Sequence, residues 1–251
     1  MKFYKYCSFN PYILSDIKNN RITLSKPRVF NDPFDCLCYI NKDKINEYQL
    51  EKSRVRDITF IVSLTNKFDE PIMWSHYSDS HFGFCIEYEI PFRDTNITQF
   101  VGDEGEVALF KVIYSEEMFD ATNHVLYLTN YENYKRNPFN NKVIPYVGIT
   151  EKMIDFFKYK DKKWEYEQEY RLSISGWGTN YKDDDRISTN SPKIIGIYFG
   201  ERSGDLVDKD KIYYRDDLKR ICEDRKIPTY IMKKHDTEYK MIAEKKKVQD
   251  L

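Results

Sequence analysis

Gly83-Phe84-Cys85-Ile86-Glu87-Tyr88-Glu89-Ile90 alternates side-chain character at every step, which is the two-residue period of a β-strand. Phe84, Ile86, Tyr88 and Ile90 share one face, while Cys85, Glu87 and Glu89 share the other. Upstream, Ile58–Leu64 is an almost continuous apolar run of strand length, as expected of a strand in the middle of a sheet. Further strands are predicted at 3–6, 21–25, 107–114, 167–174, 194–199 and 230–232, the last as the final strand. Helices separate them. Asn10-Pro11 supplies a cap and a first-turn proline, and Ile13, Leu14 and Ile17 then fall on one helical face. Pro71–Ser80 suits a short helix, Asp216–Arg225 an amphipathic one, and residues 42–57 and most of 116–160 also read as helical. Short strands dispersed among helices, with no regular βαβ alternation, predict an α+β protein with a mixed, largely antiparallel sheet. A single domain over 1–251 is expected, with a helical insertion at about 116–160.

Composition narrows the function classes. The 40 Lys and Arg against 41 Asp and Glu leave a net charge of −1, so no global basic field draws nucleic acid. The run Lys245-Lys246-Lys247 reads as a solvated end. Five cysteines, with no second Cys or His pair at zinc spacing near Cys36-x-Cys38, argue for a reducing compartment and against structural zinc. Cys36 and Cys38 are expected to share one face of a strand. The opening residues contain no apolar leader and no run approaches 18 apolar residues, so a cytoplasmic protein without a membrane segment is expected. Phosphate-cradling Gly-x-Gly-x-x-Gly and P-loop motifs are missing, as is the Gly-x-Ser-x-Gly nucleophile elbow. No metal site is expected; His76, Asp79 and His81 are the nearest approach to one.

Three clusters carry polar chemistry. Phe30-Asn31-Asp32-Pro33-Phe34-Asp35 either shapes its own loop, through Asn31 and Asp32 side chains bonding to backbone, or contacts a ligand directly. Met73-Trp74-Ser75-His76-Tyr77 puts two rings, a hydroxyl and an imidazole on one helical turn. Trp74 and Tyr77 either stack a flat heterocycle or anchor the helix to the core. In Trp164–Leu172, strand alternation would set Glu165, Glu167, Glu169 and Arg171 on one face, with Tyr166, Tyr170 and Leu172 opposite. That acidic face is either a solvated edge, with a Glu169–Arg171 pair of little worth, or a grip for ribose hydroxyls and a developing cation.

The order of these motifs resembles a bacterial family known as domain of unknown function twenty-nine seventy-one. Its pattern is matched here by Tyr4–Tyr6, Phe30–Phe34, Met73–Tyr77, Gly83–Glu87 and Glu167–Leu172. The opening strand, helix and strand followed by the Asn-Asp loop look distantly like ADP-ribosyltransferases. That resemblance implies an enzyme cleaving NAD at the nicotinamide ribose and modifying a protein or nucleic-acid acceptor, as a toxin or phage-defence effector would. A cognate antitoxin or defence partner would accompany it. By the same resemblance Tyr4 and Tyr6 stand on the first strand, where that fold carries His or Arg, Ser63 on the second, Tyr77 at the nicotinamide aromatic position, and Glu169 or Glu167 as the catalytic acid. Trp74, Ser75 and His76, with Asn31 and Asp32, complete the expected NAD-binding set. Two alternatives of other classes are a carboxylate-metal nuclease using Asp32, Asp35, Glu87 and Glu169, and a non-catalytic nucleotide-binding module.

Overall fold

A computed structural model describes residues 1–41, 43, 55–91, 97–100, 106–125, 127, 149–175, 185–190 and 192–251. In chain order the strands begin with β1 (Lys2–Cys7), β2 (Ile22–Ser25), β3 (Cys38–Tyr39), β4 (Thr59–Thr65) and β5 (Phe84–Glu89). They continue with β6 (Ile97–Phe100), β7 (Glu106–Lys111), β8 (Ile113–Ser115), β9 (Phe119–Asp120) and β10 (Tyr159–Asp161). The last five are β11 (Glu169–Ser175), β12 (Arg186–Thr189), β13 (Lys193–Phe199), β14 (Thr229–Lys234) and β15 (Met241–Lys246). The helices named here are α1 (Pro11–Lys18), α2 (Pro71–Tyr77), α3 (Ile149–Asp155) and α4 (Lys209–Asp224).

Nine strands form a continuous open sheet in the order β15-β14-β13-β5-β1-β4-β11-β7-β6, and the β2–β12 pair branches from β4. Every pairing in this sheet is antiparallel except β13 with β14. The mixed, largely antiparallel sheet agrees with the sequence reading. β4 is the hinge of the architecture. One of its edges is paired with β11 along its whole length, from Thr59↔Ser175 to Thr65↔Glu169. Its other edge is divided: Thr65 pairs with Tyr4 of β1, and Ile61 pairs with Ser25 of β2. Among the described residues, Val62–Leu64 therefore have a strand partner on the β11 side alone, and the sheet parts there.

Alternation decides which side chains go where. Phe84, Ile86 and Tyr88 of β5, Val62 and Leu64 of β4, and Leu172 and Ile174 of β11 enter one large core. The apolar faces of α1 (Ile13, Leu14, Ile17) and α4 (Leu218, Ile221, Cys222) close it, and these two helices pack together. The α1 start is as expected: Asn10 Oδ1 accepts from the amides of Tyr12 and Ile13 at 3.1 Å each. The opposite sheet face carries two smaller cores. One gathers Tyr4, Tyr6, Met73, Trp74, Cys85 and Tyr198; the other gathers Ile61, Phe110, Cys36 and Cys38 with Met153, Phe156 and Phe157.

Several expectations are corrected. The stretch 116–160 is not uniformly helical: β9 and the start of β10 lie within it and β8 borders it, while helix is described at 122–125 and in α3. The strand expected over 167–174 starts at Glu169, because Lys162–Glu167 form a 3-10 helix. Asp161 caps that helix by accepting from the Lys163 amide at 2.9 Å, and Gln168 ends it in the left-handed region at φ 44°. Glu165 thus leaves the face shared by Glu169 and Arg171. The lysine run is solvated as expected, with Lys245 and Lys247 exposed, but Lys245 and Lys246 belong to the edge strand β15. Lysines on an edge discourage pairing with other chains. Cys36 precedes β3 at φ 56° and shares no strand with Cys38, although both are buried. Residues 42, 44–54, 126 and 128–148, where helix was expected, lie outside the described residues.

Candidate functional site

Where β1 and β2 part along β4, a cleft of about 590 Å³ opens on the face between the two smaller cores. Tyr4, Tyr6 and Met73 line it from one side; Ile61 and Phe30 line it from the other. Ser63 sits at the unpaired stretch of β4 and is exposed to the cleft. Lys5, Thr23, Ser25 and Arg186 border the gap between the parted strands, and Asn31 and Asp32 come from the loop after β2.

The floor is a buried ionic network. Arg171 has no exposed surface; its Nε donates to Glu169 Oε1 at 2.7 Å and its Nη2 to Asp35 Oδ1 at 2.6 Å. The guanidinium also donates to the Phe157 carbonyl at 2.7 Å and to Cys36 Sγ at 2.9 Å. Lys160 Nζ is the second hub, 2.6 Å from Glu167 Oε2, 3.0 Å from Glu169 Oε2 and 3.5 Å from Asp35 Oδ2. Above it the Tyr77 hydroxyl donates to Glu167 Oε1 at 2.5 Å. His76 Nδ1 lies 3.1 Å from the Tyr166 hydroxyl. Of the two readings of this acidic face, the solvated edge does not hold: Glu167 and Glu169 are almost wholly buried and bridged by one ammonium.

The two glutamates are driven apart electrostatically. Burial alone would push the Glu169 carboxyl up, but the charges of Arg171 and Lys160, with hydrogen bonds from Arg171 and Ser63, outweigh it. The carboxyl is held at about 2, below its ordinary 4.5. Burial raises the Glu167 carboxyl, and the Lys160 charge and the bonds from Lys160 and Tyr77 only partly offset that. Burial also works against the Lys160 ammonium, yet Glu169, Asp35 and Glu167 more than compensate and keep it charged. Tyr77 is raised, first by burial and then by its bond to Glu167, so it stays a donor. The surroundings thus lower one carboxyl and raise its neighbour, so two adjacent glutamates differ in their affinity for a proton.

Of the expected binding and catalytic residues, Tyr4, Tyr6, Asn31, Asp32, Ser63, His76, Tyr77, Glu167 and Glu169 border this one cleft. Trp74 and Ser75 do not. Trp74 is fully buried, edge-on to Tyr6 at 5.1 Å, and its indole N–H donates to the Phe68 carbonyl at 2.7 Å. It anchors α2, so the stacking role expected of it is corrected. Ser75 is exposed away from the cleft, because Met73, His76 and Tyr77, spaced three and four apart, take the inner face. Ser63 stands on β4, the fourth strand in chain order, and not on the second. Asp32 shapes its loop, accepting from the Phe34 amide at 2.8 Å, and also reaches the cleft wall.

The carboxylates of the nuclease alternative are not assembled for a shared ion. Arg171 occupies the space between Asp35 and Glu169, while Glu87 lies apart, bonded to Tyr4 and Tyr198. His76, Asp79 and His81 also have separate partners: Asp79 pairs with Lys211 at 2.6 Å, and His81 stacks on Trp74. Among the described residues no group of three His, Cys, Asp or Glu side chains is placed to hold a metal ion.

Lys160 and Arg171 are the functional residues that sequence reasoning missed or undervalued. The signal for Lys160 was the need itself: two carboxylates two residues apart beside a third in the Asn-Asp loop require a nearby cation. Its strand, β10, lay hidden in a span read as helix.

The fold and site define an open, mostly antiparallel sheet with an aromatic and acidic cleft where it divides. Residues 73–172 match the model of a family described as Protein of unknown function (DUF2971). Three of the five motifs, Met73–Tyr77, Gly83–Glu87 and Glu167–Leu172, fall inside the matched stretch. Comparison with curated proteins and with solved structures finds no match. No helix among the described residues is long and apolar enough to cross a membrane.

Proposed function

We propose that the cleft binds NAD and that the chain is an ADP-ribosyltransferase-like enzyme, breaking the bond between nicotinamide and its ribose and passing ADP-ribose to a protein or nucleic-acid acceptor, or to water. One observation carries the reading: the aromatic turn at Tyr77 and the acidic pair Glu167 and Glu169 border the same cleft and touch, through the 2.5 Å Tyr77–Glu167 hydrogen bond. The volume of about 590 Å³ suits a nucleotide-sized ligand, and Tyr4, Tyr6, Tyr77 and Trp164 offer rings to flat heterocycles.

The chemistry asked of the site is charge stabilisation. As the ribosyl–nitrogen bond breaks, its electron pair leaves with nicotinamide and the ribose carbon becomes oxocarbenium-like. With all groups ionised, Asp35, Glu167 and Glu169 carry three negative charges against two positive ones on Lys160 and Arg171. The surplus negative charge is fixed in place before any reaction, which favours a developing cation. Glu169, held ionised, is the stabilising anion. Glu167, with its raised carboxyl, takes the proton from the acceptor as it attacks the ribose carbon. This division supports Glu169 as the stabilising anion and Glu167 as the base.

The test is incubation of purified protein with NAD labelled in the adenylate part, with cell lysate as acceptor source. Nicotinamide release and label transfer are followed for the parent, Glu169→Gln and Glu167→Gln. Loss of about 10²–10³-fold in nicotinamide release for Glu169→Gln supports the reading, since that is the usual effect of removing one electrostatic stabiliser. Glu167→Gln should impair transfer to an acceptor more than it impairs NAD binding. Full activity in Glu169→Gln would remove that residue from the mechanism.

A further inference from the structure

The Gly83–Glu87 motif contributes nothing to the cleft lining, yet it ends in a carboxylate that the fold goes to some length to bury. Glu87 is 3% exposed at the middle of β5. Its Oε1 accepts from the Tyr4 hydroxyl at 3.2 Å and from Lys2 Nζ at 2.8 Å, and its Oε2 accepts from the Tyr198 hydroxyl at 3.1 Å. Room for it is made across the sheet. The β13–β5 register is interrupted between Ile194 and Gly196, and a Cβ on Gly196 would stand 2.8 Å from Glu87 Oε2. A buried carboxylate given three donors, a sheet irregularity and a glycine is more than packing requires, because an apolar side chain would fill the place without needing donors.

What Glu87 holds is the ring of Tyr4, which does line the cleft. The Tyr4 ring is also braced by Phe68 at 5.3 Å and edge-on by Tyr198 at 5.9 Å, and Tyr198 stacks on Tyr230 at 4.5 Å. The aromatic contacts brace the faces of the Tyr4 ring, whereas the hydrogen bond pins its hydroxyl tip and so the direction of the whole side chain. We infer that Glu87 is a positioning residue: its carboxylate fixes the Tyr4 ring as a rigid wall of the cleft and so preorganises the surface on which the ligand's flat ring lies. A ring already locked loses no freedom when ligand binds, so affinity depends on the lock. The ligand is NAD by the reading above, on which this consequence rests. The lock itself is a property of the free protein.

The experiment has two arms, on the parent, Glu87→Gln, Tyr4→Phe and the double variant. In the first, 3-fluorotyrosine is placed at position 4 and its fluorine resonance is recorded without ligand. The expected result is one narrow line in the parent and a shifted, broadened line in Glu87→Gln, with unchanged circular dichroism. In the second, NAD affinity is measured by titration calorimetry. Each single variant should weaken binding about tenfold, as loss of one hydrogen bond to a charged group does. The double variant should be no weaker than either. An unchanged narrow fluorine line in Glu87→Gln overturns the inference, as do binding losses that multiply in the double variant. If the parent binds no NAD while the fluorine line responds to Glu87→Gln, the lock stands and the NAD reading fails. If Glu87→Gln does not fold, Tyr198→Phe, which removes one Glu87 donor outside the cleft, takes its place with the same two readouts.

Discussion

Arg171→Met is the most searching test of the buried network. Arg171 is fully buried and donates to both oxygens of Glu169, to Asp35, to the Phe157 carbonyl and to Cys36. Methionine keeps the apolar stem of the side chain but not the guanidinium group, so the loss is chiefly electrostatic with a smaller packing cost. Lys160 would be left alone against Asp35, Glu167 and Glu169. Removing one partner of a buried ion pair costs about 3–5 kcal/mol, since the other charge stays buried without compensation. Against a total stability of about 5–15 kcal/mol that is a large fraction. The sign of the pH dependence follows from the shifts. In the parent, Glu169 is lowered from 4.5 to about 2, so it contributes about 3 kcal/mol above pH 4.5, lost as pH falls toward 2. Without Arg171, the burial that raises this carboxyl loses its largest opponent. The variant then gains from protonation as pH falls, and its deficit against the parent shrinks. Urea titrations followed by tryptophan fluorescence at pH 7 and pH 4.5 measure both quantities. Adding Glu169→Gln to Arg171→Met should restore about 1 kcal/mol or more at pH 7. A deficit below about 1 kcal/mol at pH 7, or one that grows on acidification, would refute the reasoning.

Three further outcomes are expected. Gly83→Ala should destabilise by about 3 kcal/mol in thermal unfolding, because its Cβ would overlap the Cys7 carbonyl and lie 2.9 Å from the Ser78 carbonyl oxygen, both backbone atoms. Tyr77→Phe removes a donor that lowers the Glu167 carboxyl, so the acid limb of kcat/KM for transfer to the acceptor should move to higher pH; a limb that stays in place would exclude Glu167 as the base. Trp74→Phe should lower stability by about 2 kcal/mol through lost packing and an unpaired Phe68 carbonyl, yet change NAD affinity less than Tyr77→Phe does, as calorimetry would record.

The legible parts of the fold were those set by local pattern. Alternation at Phe84–Glu89 fixed the faces of β5, and Asn10-Pro11 marked the start of α1, because caps and two-residue periodicity act within a few residues. The illegible parts came from distant partners. The Trp164–Leu172 stretch reads as one strand, but the Asp161 cap and the left-handed Gln168 turn its first half into a 3-10 helix. That turn is what lets Glu167 and Glu169 converge on Lys160 from two elements. Trp74 and Tyr77 share a helical stripe in projection, yet the sheet below claims Trp74 and leaves Tyr77 to the cleft, a choice made by Tyr6 and Phe68. The cleft itself depends on β1 and β2 sharing one edge of β4, a pairing with no local signal.

The most direct measurement is a crystal structure of the protein with carba-NAD, which keeps the shape of NAD but cannot lose nicotinamide. The account predicts its nicotinamide ring against Tyr77 and the adjoining ribose hydroxyls within hydrogen-bonding distance of Glu169, inside the gap where β1 and β2 part. A ligand seated elsewhere on the protein, or a cleft left empty at saturating ligand, would contradict it.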